Sequence, residues 1–171
     1  VAAKEGKCSV KVADLSEFWH GQKNIMLCDP NILACRDWKE LLKQLIDSKA
    51  RININQGLDI RLMTEEKAEM IGKLRVESVH FAWDKYQDKE TILPKFRQFK
   101  EITGWGARKT SVYVLTNFDT TFEQDLERIY TLRDLGYDPY VMIYDKEHTK
   151  GNDPVRLLQR YVNNRPIFRT I

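Results

Sequence analysis

The apolar pattern of this chain switches between period two and period 3.6 in a regular order, and that alternation limits the folds open to it. Strand-like segments begin near residues 24, 52, 77, 110 and 139, at intervals of 28, 25, 33 and 29 residues. They are "NIMLCD" (24–29), the start of "RININQGLDIRL" (51–62), "VESVHFAWD" (76–84), "TSVYVLTNFD" (110–119) and "PYVMIYD" (139–145). Helices fill every gap. Asp37 and Glu40 suggest a capping box before Trp38, Leu41, Leu42, Leu45 and Ile46 at helical spacing. Thr64 with Glu65 and Glu66 opens a second helix, and Ile92, Leu93, Phe96 and Phe99 mark a third that ends near Gly104. Thr121 and Gln124 form a capping box for a fourth, with Gly136 at its end. Asp153 and Pro154 start a last helix that runs to about Val162, and "ADLSEFWH" (13–20) reads as a short helix capped by Asp14.

Strands alternating with helices imply right-handed βα crossovers and a parallel sheet. A complete eight-unit barrel takes roughly 250 residues, or about 31 per unit, so the repeat fits and the count falls short. The pattern therefore predicts an open or partial α/β barrel, or else a doubly wound sheet, with five strands in chain order and helices on one face. The 171 residues suit a single domain with a substantial core, and 42% hydrophobic with 31% charged residues excludes a disordered chain. The net charge of +3 is spread along the chain and gives little support to a nucleic-acid surface. No run of about 20 apolar residues suggests a membrane span. Cys8, Cys28 and Cys35 form no CxxC pair, which points to a reducing cytoplasm. The opening "VAAKEGK" lacks an initiator Met and reads as if cut from something longer.

In parallel α/β sheets ligands bind outside the carboxyl ends of the strands. Those ends carry Asp29, Pro30 and Asn31; Asn55, Gln56, Asp59 and Arg61; Asp84; Thr116, Asn117 and Asp119; and Tyr144 with Asp145. Asp, Asn and Thr also cap helices, and Asp119, Thr120 and Thr121 suit that role better than binding. Gln56, Asp59 and Arg61 are different, because the helix after them already has a cap in Thr64. No GxSxG, HExxH or P-loop is present, and "GWGARK" (104–109) precedes a strand, which excludes a dinucleotide fingerprint. His20, His80 and His148 are scattered. These residues suit a small polar molecule with amine, carboxylate and hydroxyl groups.

"NQGLDIRLMTEEKA", the strand end "HFAWD" and "VYVLTNFDTTFEQDLERIYTLRDLGYDPYVMIYDK" resemble the core of a bacterial or prophage radical S-adenosylmethionine (radical SAM) protein. The resemblance runs from about residue 4 to residue 160. It implies a six-unit partial (β/α) barrel, related to the TIM barrel, whose first strand and cluster loop lie upstream of these residues. It also implies S-adenosylmethionine bound to a [4Fe–4S] cluster on a Cys-x3-Cys-x2-Cys loop, a motif that this chain lacks. Carried over by position, the motif that meets the SAM amino group falls on Asp29, Pro30 and Asn31. The ribose-facing position falls on Asp84, and the adenine-flanking region falls on residues 112–118, with Asn117 suggestive. Gln56, Asp59 and Arg61 would stand on the wall between them. The substrate of such an enzyme is not legible.

Two other function classes fit the residues alone. One is a metal-independent barrel hydrolase that uses rim carboxylates such as Asp29 and Asp84. The other is a non-catalytic α/β interaction module.

Overall fold

The computed structural model describes residues 21–28 and 31–170. The helix expected at 13–20, Cys8 and Asp29 lie outside the described residues. In chain order the elements are β1 (Asn24–Leu27), α1 (Trp38–Asp47), β2 (Arg51–Ile54), α2 (Glu65–Lys73), β3 (Val79–Ala82) and α3 (Lys89–Thr103). They continue as β4 (Thr110–Thr116), α4 (Phe122–Asp134), β5 (Asp138–Ile143), α5 (Pro154–Asn163) and α6 (Arg165–Thr170). The fold is α/β with two small parallel sheets, β1-β2 and β3-β4-β5.

The strands keep their sequential order, but one continuous five-stranded ladder does not form. Between β2 and β3 it thins to a single parallel bridge, Ile52 to Val76. Beside it, Ile52 N donates to Arg75 O at 2.9 Å, and Leu58 N donates to His80 O at 2.7 Å. The cause is parity. Val76 and Val79 are both buried although they stand three positions apart, whereas a strand buries every second residue. The chain absorbs the extra residue in a bend at Glu77 and Ser78, and the expected strand 76–84 shrinks to four residues.

Each strand buries one parity of side chains. Ile52, Ile54, Val79, Phe81, Val112, Val114, Val141 and Ile143 join the helices in one core. Phe81 meets Phe96 and Phe99 of α3 edge to face, at 5.7 and 5.1 Å between ring centroids, and Tyr137 at 6.1 Å. The opposite parity carries Met26, Tyr140 and Met142, all exposed. Parallel sheets are ordinarily covered on both faces, so this open face is unusual.

Local signals account for the helix ends. Thr64 accepts a hydrogen bond from Lys67 N, Thr121 and Gln124 close a full capping box, and Asp153 accepts from Val155 N ahead of Pro154 at the first turn. Gly104 (φ +63°) and Gly136 (φ +78°) take the left-handed conformation that ends α3 and α4. The box expected at Asp37 and Glu40 does not close, and Gln44 donates to Glu40 instead, at 3.4 Å. The short helix α6 was not expected.

Among the described residues β1 pairs only with β2, and Met26 on it is 62% exposed. An unpaired apolar edge opens easily and invites association. Amides 24–28 should therefore exchange hydrogen faster than amides 112–116 of central β4. Equal protection in a monomeric sample would contradict this.

Candidate functional site

The carboxyl ends of β2 and β3 open into a cleft of about 450 Å³. One wall is the segment that leaves β2. Residues 55–57 are exposed, with a bend at Gln56, and Leu58 N then bonds to His80 O on β3. The turn that follows (Ile60–Leu62) is capped by Asp59, whose Oδ1 accepts from Arg61 N at 2.9 Å. The Arg61 side chain folds back onto the same carboxylate, with Nε donating to Oδ1 at 3.0 Å and Nη2 to Oδ2 at 2.9 Å. Burial pushes the Asp59 carboxyl up. The hydrogen bonds from Arg61, with the charges of Arg61 and Lys95, outweigh that and hold it below the usual carboxylate range. The same pairing raises Arg61, whose Nη1 also lies 3.9 Å from Asp88.

The facing wall is the loop after β3. Trp83 is fixed at both ends, N donating to Tyr113 O and Nε1 to Lys85 O, each at 2.8 Å. Asp84 follows, then Lys85 and Asp88. Arg128 on α4 holds this loop from behind. Its Nη1 donates to the carbonyls of Trp83 (2.6 Å) and Asp84 (3.0 Å), and its Nη2 donates to Leu115 O on β4 (2.7 Å). Asp125 lies at 2.6 Å from the same Nη2, and both side chains are essentially inaccessible, at 0% and 1%. The preceding residue of α4, Glu127, accepts from Tyr86 Oη at 2.6 Å and pairs with Lys89. One helical turn of α4 thus positions the whole segment 83–89.

Enclosure by the cleft raises the Asp84 carboxyl above its ordinary value, against the opposing pull of Arg128 and Arg61. The acidic form is favoured in the fold, so the ionised carboxylate costs stability at neutral pH. Asp84→Asn should therefore be slightly more stable than the parent at pH 7. The difference should close as pH falls toward and below the ordinary value of 3.8. Asp84 keeps solvent on its outer side, so the gain is small. Urea titrations at pH 7 and pH 3 read it, and a variant less stable at pH 7 would contradict the assignment.

Of the residues expected from sequence, the structure brings Asn31, Asp59, Arg61 and Asp84 to one cleft. Gln56 is exposed at a bend and Asn117 sits at the end of β4, and neither is part of its walls. Asn117 has a conformational role, taking φ +61° in the turn toward α4, where an asparagine is tolerated. Lys85, Asp88 and Tyr113 also line it and were not expected. The ionisable groups of the cleft are three carboxylates (Asp59, Asp84, Asp88) and two cations (Arg61, Lys85). Such a set can hold a small molecule that carries both an ammonium and hydroxyl groups.

No protein-family model matches the chain, and no curated protein matches it in sequence. Among the described residues no group of three or more His, Cys, Asp or Glu is placed to hold a metal ion. Of the described cysteines, Cys28 is exposed and Cys35 half-buried. No helix among the described residues is long and apolar enough to cross a membrane.

Proposed function

We propose that this chain is part of a radical SAM core in a cytoplasmic enzyme, and that the cleft at the carboxyl ends of β2 and β3 holds S-adenosylmethionine. The observation that carries the proposal is the convergence of Asp59, Arg61 and Asp84, from two neighbouring strand ends, on one cleft of ligand size. The sequential parallel strands and the open sheet face also support a partial (β/α) barrel, since the uncovered face would be its interior.

The donor set fits S-adenosylmethionine. Asp84 would accept from the ribose hydroxyls, Asp88 would face the positive charge of the sulfonium or ammonium, and Tyr113 would offer an aromatic wall. Arg61 would meet the carboxylate, at the cost of loosening its pairing with Asp59. Such a cofactor, given one electron from a reduced cluster, would supply hydrogen-abstraction chemistry. The described residues do not fit the cluster itself, because three thiolates on one loop are required and Cys28 and Cys35 stand in separate segments. The cluster loop on this reading belongs to sequence outside these residues.

Anaerobic reconstitution tests the proposal. The 171-residue chain should take up no stoichiometric iron–sulfur cluster, whereas the protein extended through its upstream coding sequence should take up one and bind S-adenosylmethionine. Stoichiometric cluster uptake by the chain alone, or an extended protein without affinity for S-adenosylmethionine, would contradict it.

A second reading is favoured by one observation. Asp84 is shifted up and Asp59 down within the same cleft, and carboxylates pushed apart in this way can divide acid and base roles in hydrolysis. Both oxygens of Asp59 are engaged by Arg61, which weakens it as a base. Hydrolysis that needs no S-adenosylmethionine would establish this alternative.

A further inference from the structure

A second cleft, also of about 450 Å³, lies at the opposite end of the strands. It is enclosed by the segment before β4 (106–109), the last turn of α4, the start of β5 and the end of α6. Its lining brings in four cations, Arg108, Lys109, Arg133 and Arg169, against one carboxylate, Asp138. That carboxylate is 2% exposed and already taken. Arg169 Nη2 donates to it at 2.8 Å, and Arg165 Nε pairs with it at 2.9 Å. It cannot neutralise the other three.

Those three are held without strong acidic partners. The Lys109 ammonium lies over Trp105, 3.9 Å from the ring centroid. The Arg133 guanidinium stacks 4.7 Å from Tyr130 and 5.6 Å from Phe168, and its acidic contact is the largely exposed Asp134 at 3.6 Å. Among the described residues Arg108 has no hydrogen-bond, ion-pair or ring partner for its side chain. Like charges gathered around a ligand-sized hollow repel one another, and an anion between them would relieve that repulsion. Stacking holds the Arg133 fork in plane, a preorganised arrangement for the oxygens of a phosphate. Tyr137 and Phe168 back the cleft but are each only 1% exposed, so the surface it offers is chiefly that of the cations.

We propose that this cleft binds a small phosphorylated molecule, with the phosphate on Arg108, Lys109 and Arg133. It is separate from the carboxyl-end cleft and does not depend on the function proposed for that cleft. A bounded hollow with its cations gathered at one place favours a small molecule over a strand of nucleic acid, which would need an extended basic track.

Calorimetric titration of the full chain with inorganic pyrophosphate at low salt tests the phosphate contact. Saturable binding at one site is expected, weakened about tenfold or more by Arg108→Ala and by Lys109→Ala. Lys146→Ala, an exposed lysine in the loop after β5, should leave it unchanged. Arg108 is exposed and unpartnered, so its variant should keep the parent's unfolding midpoint. Absence of saturation, or an equal loss with Lys146→Ala, would overturn the site. A single-stranded decanucleotide bound more tightly than pyrophosphate, and sensitive to Arg108→Ala, would overturn the assignment to a small molecule.

Discussion

Replacing Arg128 with methionine should cost about 3–5 kcal/mol of folding stability, because it leaves a buried carboxylate without its cation. The guanidinium is fully buried, and its two Nη groups donate to the carbonyls of Trp83, Asp84 and Leu115 and to Asp125. Asp125 would keep only Thr120 Oγ1 at 2.6 Å and the long contact from Asn117 N at 3.4 Å. For a chain of this length that loss lowers the midpoint of thermal unfolding by roughly 6–20 °C. Neutralising both partners, as in Asp125→Asn with Arg128→Met, should recover part of the loss, since the unpaired charge is then gone. Urea titrations of the parent, the single and the double variants decide it. A single variant within about 1 kcal/mol of the parent would mean that the pair adds little and that the 83–89 loop is held by other contacts.

Much of the fold could be read in the residues. The five strand positions, the caps at Thr64, Thr121 and Asp153 and the closing glycines Gly104 and Gly136 follow from local chemistry, and local chemistry acts within a few residues. What escaped depends on distant partners. The split between β2 and β3 turns on which of Val76 and Val79 reaches the core, and a period-two count cannot show a bend at Glu77 and Ser78. The same holds for the site. Asp59, Arg61 and Asp84 were legible because strand ends in parallel sheets are where ligands bind. Gln56 sits in an equivalent position by sequence, yet it is exposed at a bend and is not part of the cleft lining. Arg128 gave a faint signal in "DLER", an acid and a guanidinium three residues apart on a helix. The pattern ordinarily marks a solvated surface pair, and only the structure shows both side chains buried.

The central claim is that Asp84 stands where S-adenosylmethionine is held. The titration that tests it uses the cluster-bearing, extended protein under anaerobic conditions, with Asp84→Ala beside the parent. A lost hydrogen bond to a charged group is worth roughly 1.5–3 kcal/mol, so affinity for S-adenosylmethionine should fall by about tenfold to 150-fold. The fold should survive, because Asp84 is attached to the core through its backbone carbonyl on Arg128 and its side chain faces the cleft. Heat of binding measured by calorimetry gives the answer directly. The account predicts a folded variant with weakened binding; an Asp84→Ala protein that binds S-adenosylmethionine as tightly as the parent would contradict it.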